Sequence, residues 1–422
     1  MVAATSNTLA ATNTKVGVAH AVCSEMKHEI RVLQVFSVLS VGGAETWLMS
    51  LLKYFREVEK ELPVRLKIDV LLTGGEKAVF DDEAMALGAR LFYVPFTRRN
   101  MLHFIQKFRR ILASGNYDVI HDHQDYIAGL HFLMGLGHLP PVRIAHIHNP
   151  LYHRTYYANG PGRQIAQATG KRLLSKLATH VLGTSKQIVN EYGFVGRSFR
   201  RVTTGAAHCG FDVARFQGDR KRTHQEVCRE FGWDNRAKII LFVGRLEADE
   251  VFHLGRPMSH KNPAYALEIA MECIARDERL RLLMVGAGHT KRREFENEVR
   301  GWGMEKEIRF VGMRQDVPRL MLGSDLLLFP SLAEGLGMVV VEAQAAGLRV
   351  LASDTIPREC VVVPGMVDFL PLQDPECWAD EACRLMNMNP PDVDQCNRLL
   401  KESTFSIENS AAKLVSIYGS LA

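Results

Sequence analysis

Two glutamates, Glu334 and Glu342, frame the stretch of this 422-residue sequence where chemistry is easiest to read. They are separated by seven residues in Ser331-Leu332-Ala333-Glu334-Gly335-Leu336-Gly337-Met338-Val339-Val340-Val341-Glu342-Ala343-Gln344-Ala345-Ala346-Gly347. The run from Asp325 to Phe329 reads as a buried strand feeding into this segment, and Gly335 and Gly337 then open a short apolar helix. A glycine turn at a helix start leaves backbone N–H groups unpaired and pointing outward, which suits a phosphate. A carboxylate inside that helix would repel phosphate, so Glu342 suits a neutral pair of hydroxyls, such as a ribose diol. Glu334 lies in the turn itself, and both carboxylates can face one ligand above the strand ends.

The Glu334-x7-Glu342 spacing resembles the signature of retaining GT-B glycosyltransferases, specifically glycosyltransferase family 4. The run Arg349-Val350-Leu351-Ala352-Ser353-Asp354-Thr355-Ile356-Pro357-Arg358-Glu359 resembles the capsule and exopolysaccharide branch of that family. This resemblance implies an α/β GT-B fold, with two Rossmann-like, doubly wound parallel-sheet domains facing across a cleft. It implies a nucleotide-diphosphate sugar as donor substrate, a UDP-sugar by expectation, and a saccharide or lipid-linked saccharide as acceptor. It implies no cofactor and no metal.

Composition sets the bounds within which these elements must sit. A chain of this length fits two domains of roughly 180–200 residues each. With 47% hydrophobic and 23% charged residues it reads as globular. No apolar run approaches the roughly 20 residues that span a bilayer. The net charge of +5 does not indicate nucleic acid, but it suits an anionic donor or peripheral work at an anionic membrane surface. The eight cysteines are scattered without a Cys-x-x-Cys pair, which favours a reduced cytoplasm over a zinc site. Expected organisation is a disordered extension over 1–29, an acceptor domain over 30–207, a donor domain over 208–403 and a final helix over 404–422 packing back onto the first domain.

In the first half, strand-like runs alternate with helical patterns, as in a parallel sheet with crossover helices. The strand from Arg31 to Val38 meets Gly42-Gly43-Ala44-Glu45 and then a helix carrying Leu48, Leu51, Leu52 and Phe55. Such a turn is either simply tight or lets a ligand approach the backbone. By resemblance, Gly42 and Gly43 lie over the donor pyrophosphate and the acceptor. His121 and His123, then His146 and His148, alternate along extended segments, so each pair shares a face. Metal ligation, satisfied structural imidazoles and ligand contact are all open to them on spacing alone. Resemblance favours His148 as the histidine that meets the donor sugar, with His121 and His123 lining the acceptor cleft. Tyr152-His153-Arg154, Arg163, Lys171, Arg172 and Lys176 suit a basic face near the acceptor or membrane, and equally a solvated helix.

In the second half, His208-Cys209-Gly210-Phe211-Asp212 resembles the segment that crosses between domains. Residues 218–226 read as linker, with Arg220-Lys221-Arg222 solvated. The strand from Lys238 to Val243 ends in Gly244-Arg245, a strand-end arrangement that recurs at anion sites. By resemblance Arg245 and Lys261 neutralise the donor diphosphate, although 248–259 reads as an inserted loop that lengthens their spacing. Gly286-Ala287-Gly288 forms another glycine turn, and Met313 and Arg314 fall where the family's backbone reads the nucleobase. Asp392-Val393-Asp394 is expected to start a helix rather than bind metal.

No residue stands out as a covalent nucleophile, which fits the front-face retaining mechanism that the resemblance implies, in which Glu334 orients the sugar and the diphosphate takes the acceptor proton. A catalytically silent sugar-nucleotide scaffold and a nucleotide-sugar epimerase of the same fold are the alternatives.

Overall fold

The computed structural model describes residues 28–420 apart from Arg98, 152–160, 197–198, 248–250 and 254–255. The expected extension over 1–29 and the Tyr152-His153-Arg154 stretch thus lie largely outside the described residues. The first sheet holds β1 (Glu29–Phe36), β2 (Arg65–Leu72), β3 (Arg90–Tyr93), β4 (Val119–Asp122), β5 (Val142–Ile147), β6 (His180–Gly183) and β7 (Thr203–Ala206). Its order is β3-β2-β1-β4-β5-β6-β7, with every pair parallel. After β8 (Lys238–Val243) comes a hairpin, β9 (Val251–His253) and β10 (Arg256–Met258). The second sheet continues with β11 (Leu280–Val285), β12 (Ile308–Gly312), β13 (Leu326–Phe329), β14 (Arg349–Ser353) and β15 (Val367–Leu370). Its order, β12-β11-β8-β13-β14-β15, is again wholly parallel.

Both faces of each sheet are covered, so the central strands are apolar almost throughout, as in Lys238-Ile-Ile-Leu-Phe-Val243 and Leu326-Leu-Leu-Phe329. The sequence order reverses between β1 and β4 in the first sheet and between β8 and β13 in the second. Strands diverge at such switch points, and the crevice beyond their carboxyl ends is where open α/β sheets take ligands. His123 follows β4, Gly244-Arg245 follow β8, and Glu334 follows β13 within five residues of its end.

The last helix, Ile407–Tyr418, returns to the first sheet. Ile407, Ala411, Leu414 and Tyr418 bury into the core formed with helix Gly43–Glu57, and Trp47 Nε1 donates to Ser410 Oγ at 3.0 Å. Ser406 caps this helix through Asn409 N, as its sequence position predicts. The two interdomain passages run side by side: Phe211 N donates to Phe405 O and Ile407 N to Phe211 O, both at 3.0 Å. Gly210 is required there, since a Cβ would lie 2.4 Å from that of Ser410.

Two sequence expectations need correction. Residues 218–226 are not linker, because Asp219 caps a helix, Arg220–Phe231, that buries Thr223, Val227 and Cys228. Arg220 is not solvated. Its guanidinium reaches inward to the carbonyls of Gly347 and Ser324 at 2.9 and 2.6 Å. A highly charged sequence masks the three buried positions of this helix. Asp392 caps helix Val393–Glu402, in line with the helix-start reading of Asp392-Val393-Asp394.

Candidate active site

The carboxyl edge of the second sheet assembles around Glu334. Lys261 Nζ donates to Glu334 Oε1 at 2.6 Å, and Ser331 Oγ donates to the same oxygen at 2.6 Å. Burial pushes the Glu334 carboxyl up, but the charges of Lys261 and His260 and these two hydrogen bonds outweigh it and hold the group below the usual carboxylate range. Both side chains are largely buried, with 18% of Lys261 and 10% of Glu334 exposed. The long Arg245–Lys261 spacing resolves as a hairpin, β9–β10, whose chain leaves and re-enters at one place. Ser259 Oγ donates to Arg245 O at 3.2 Å, and Leu332 N donates to His260 O at 2.7 Å. Lys261 thereby sits against the end of β8, within 3.2 Å of where a Gly244 Cβ would lie.

Gly286 and Gly288 have a packing reason of their own. With φ at +155°, Gly286 would place a Cβ 1.7 Å from Gly244 O, and a Gly288 Cβ would meet Leu246 at 2.9 Å. The helix start beyond them, at Thr290–Gly301, already has an anion, because Glu247 Oε2 accepts from His289 N and Thr290 N. Met313 is exposed, and the Arg314 guanidinium is held by Asp316 and Glu230.

The glycine turn at 335–337 leads into helix Met338–Ala345, with Gly337 at φ +86° as its N-cap. Glu342 occupies the second turn of this helix, beyond Leu336 and Gly337. Burial raises its carboxyl to about 7, against the opposing charges of Arg215 and Lys261. A carboxyl poised there can accept two hydroxyl hydrogen bonds once it ionises.

On the first sheet, Gly42 caps helix Gly43–Glu57, and the Glu45 carboxylate folds back over it, 2.3 Å from where a Gly42 Cβ would be. Burial raises the Glu45 carboxyl, with its own backbone N–H and the nearby Arg245 charge pulling the other way. Glu45 thus faces the second domain.

The four histidines form one cluster edged by Trp47. His121 Nδ1 meets Tyr418 OH at 2.9 Å and its Nε2 meets His146 Nδ1 at 3.2 Å. His146 Nε2 lies 3.0 Å from Ala207 O. His123 bridges Gln34 Oε1 at 2.7 Å and His148 Nε2 at 2.9 Å. The structure does not place His121 on a cleft wall, since it has no exposed surface, and His123 is nearly as buried. They stand behind His148, which is only half-buried and whose backbone N–H donates to Asp125 Oδ1 at 2.8 Å. Nitrogens of His121, His123 and His146 lie within 4.8 Å of one another, a spacing a metal could use. All six ring nitrogens of the three already have hydrogen-bond partners, so a metal would have to displace them.

Sequence reasoning missed Gln34, Trp47 and Asp125. Gln34 carried a signal, as the one uncharged polar residue amid the apolar run of β1. Asp125 has a left-handed φ of +53°, and nothing in the sequence marks it.

The two halves touch at Gly335. Its carbonyl accepts from Ser185 Oγ at 2.8 Å, and a Cβ on it would lie 2.2 Å from His148 O. Beside this contact, Glu359 accepts from Lys186 N and Gln187 N at 3.0 and 3.1 Å, capping helix Lys186–Glu191 of the opposite domain. The Glu334–Lys261 pair, the Glu342 helix and the His148 strand end therefore converge between the two switch points.

Comparison with known proteins matches both halves of the chain. A glycosyl transferase 4-like domain matches residues 51–205, and a glycosyl transferases group 1 domain matches residues 237–388. The putative glycosyltransferase EpsF of Bacillus subtilis (strain 168) is 28% identical over 392 residues, covering 92% of this chain and 96% of its own. A D-inositol 3-phosphate glycosyltransferase of Corynebacterium urealyticum is 26% identical over 323 residues, 72% of each chain. Among solved structures, Anabaena HepE in complex with UDP and glucose matches with a TM-score of 0.68 at 17% identity, covering 93% of this chain and all of that one. WaaG, a glycosyltransferase involved in lipopolysaccharide biosynthesis, matches with a TM-score of 0.67 at 15% identity, with 93% and 100% covered. At these identities the structural likeness is one of fold. With both halves matched in order and both sheets built as the motifs imply, the chain belongs to glycosyltransferase family 4 and is a glycosyltransferase of GT-B fold.

Proposed function

We propose that the protein transfers a sugar from a nucleotide-diphosphate sugar, a UDP-sugar, to a saccharide or lipid-linked saccharide acceptor in capsule- or exopolysaccharide-type synthesis. Transfer retains the anomeric configuration and uses neither metal nor cofactor. The observation that carries this reading is the convergence of Glu334–Lys261, the Glu342 helix start and the His148 strand end at the Gly335 contact. Glu342 accepts the ribose hydroxyls. Arg245, Lys261 and the N–H groups around Leu336 stabilise the diphosphate as charge develops on it. Lys261 uses one of its three donors on Glu334 and has others to offer. Glu334, fixed as a carboxylate, accepts from donor-sugar hydroxyls, and His148 meets the sugar from the opposite domain. The bond from sugar C1 to the diphosphate oxygen breaks, the acceptor oxygen bonds C1 on the same face, and the acceptor proton passes to the diphosphate. Closure at Gly335 keeps water from competing with the acceptor. A cytoplasmic enzyme with peripheral contact at the inner face of the plasma membrane goes with a lipid-linked acceptor.

Calorimetry against UDP-, GDP- and ADP-sugars in EDTA tests the donor. Binding of one nucleotide series, weakened by Glu342→Ala and Arg245→Ala, is the expected result. Silence across all three with a folded protein supports a scaffold, and inversion at a donor ring carbon supports an epimerase.

The Glu342 carboxyl also sets a pH dependence. Ribose hydroxyls bind its ionised form, so nucleotide affinity should rise by about tenfold from pH 6 to 8, following the ionised fraction around its value of about 7. Without ligand the sign reverses. A raised carboxyl destabilises the fold as pH climbs from its ordinary 4.5 towards about 7. The upper bound is roughly 3 kcal/mol, less where water reaches the carboxylate. Glu342→Gln should flatten both profiles, which titration calorimetry and Tm measured across pH will show.

A further inference from the structure

The hydrogen bonds behind His148 run in one direction only, and the direction follows from the partners. Burial holds His121, His123, His146 and His148 well below the ordinary histidine range, with the neighbouring imidazoles adding to it, so all four are neutral. A neutral imidazole has one N–H and one lone pair, and which nitrogen carries the proton is fixed by what its partners can do. Ala207 O can only accept, so His146 is protonated on Nε2 and offers Nδ1 as an acceptor. His121 must then donate from Nε2, which leaves its Nδ1 to accept the proton of Tyr418 OH.

The Tyr418 oxygen can now only accept, and it does so from Gln34 Nε2 at 3.0 Å. That orientation turns Gln34 Oε1 towards His123, which must donate from Nε2 and accept on Nδ1. His148 therefore donates to His123 from Nε2. Its Nδ1 is left as a bare lone pair with no partner among the described residues, on the one imidazole of the four that is half-exposed. Every link depends on the one before, and the Tyr418 hydroxyl is the only link supplied by the returning C-terminal helix.

We propose that Tyr418 is a positioning residue: through this relay it locks His148 in the Nε2–H tautomer, so that His148 meets substrate as a hydrogen-bond acceptor and selects a hydroxyl. The hydroxyl half of this inference rests on the placing of His148 at the donor sugar, whereas the tautomer half does not. The dependence on Tyr418 comes from Gln34. Once the phenolic oxygen is removed, the Gln34 amide can turn over, offer its NH2 to His123 and reverse the remaining links. His148 would then present an N–H in part of the molecules.

Long-range 1H–15N correlation spectra of the full chain with 15N-labelled histidine read this directly, with His148 assigned by the signals lost in His148→Gln. The wild type at pH 7 is expected to show His148 Nδ1 unprotonated and Nε2 protonated. Tyr418→Phe should show a mixture of tautomers at His148 and His123. If the two tautomers become equally populated, donor KM rises by about twofold with kcat unchanged, because apparent affinity scales with the competent fraction. A wild-type His148 protonated on Nδ1 overturns the relay without any need for a variant. So does a folded Tyr418→Phe protein in which His148 keeps a single tautomer, even if its activity falls. A His148→Gln protein with unchanged donor KM, alongside the expected spectra, leaves the relay standing and overturns hydroxyl recognition by His148.

Discussion

Gly335→Ala should lower kcat/KM by about a hundredfold while leaving Tm close to that of the wild type. Its Cβ would sit 2.2 Å from His148 O, 2.9 Å from Thr184 Oγ1 and 3.1 Å from Ile188 Cδ1, all in the opposite domain. The closest of these is backbone at the end of β5, held by Asp125 through the His148 N–H, and cannot swing aside. The domains must separate there, breaking the Ser185 Oγ to Gly335 O hydrogen bond and drawing Glu359 off the helix start at Lys186. Each sheet keeps its own two-sided core, which is why stability should hardly move. Steady-state kinetics with Tm and small-angle scattering will check this. The scattering should show a larger radius of gyration in the variant, and full turnover by a variant as compact as the wild type would count against closure at Gly335.

Lys261→Met is expected to destabilise the second domain by about 3 kcal/mol and to lower Tm by roughly 6–12 °C. Methionine keeps the alkyl stem beside the Phe329 ring, over which the Lys261 ammonium sits at 5.2 Å, so the effect isolates the charge. What remains is a carboxylate buried with only the Ser331 hydroxyl and the His260 side to compensate it. The pH profile should change sign. In the wild type Glu334 lies below its ordinary value, so the pair stabilises the fold above about pH 4.5 and that gain is lost as pH falls. In the variant burial prevails, Glu334 rises, and stability is lost as pH increases instead. Adding Glu334→Gln to Lys261→Met should recover most of the Tm, since both buried charges are then gone, but no activity. Failure of that recovery would mean the ion pair is not what Lys261 contributes.

The sequence made some of this legible and hid the rest for physical reasons. Strands buried on both faces are nearly pure apolar runs, so β8 and β11 read clearly and their ends gave Gly244-Arg245 and Gly286. The thin edge strand Thr203–Ala206 has no such pattern and went unread. Glu334, Glu342 and Lys261 were visible through spacing, but their pairing was not, because it depends on a hairpin returning Lys261 to the end of β8. Alternation put His121 and His123 on one face, as found, but could not say that Tyr418, nearly 300 positions away, would cover His121 and leave only His148 half-exposed. Burial of a polar side chain is a property of what packs over it, and here the cover is the last helix of the chain.

The most direct single test follows nucleotide diphosphate release from the donor that calorimetry selects, in EDTA, for the wild type and Glu334→Gln side by side. Slow release by the wild type without acceptor, faster release when a saccharide or lipid-linked acceptor is added, and a fall of roughly a hundredfold or more in the variant are expected. Equal release by both proteins, or release that appears only when a divalent metal is restored, would contradict a metal-free transfer centred on Glu334 and Lys261.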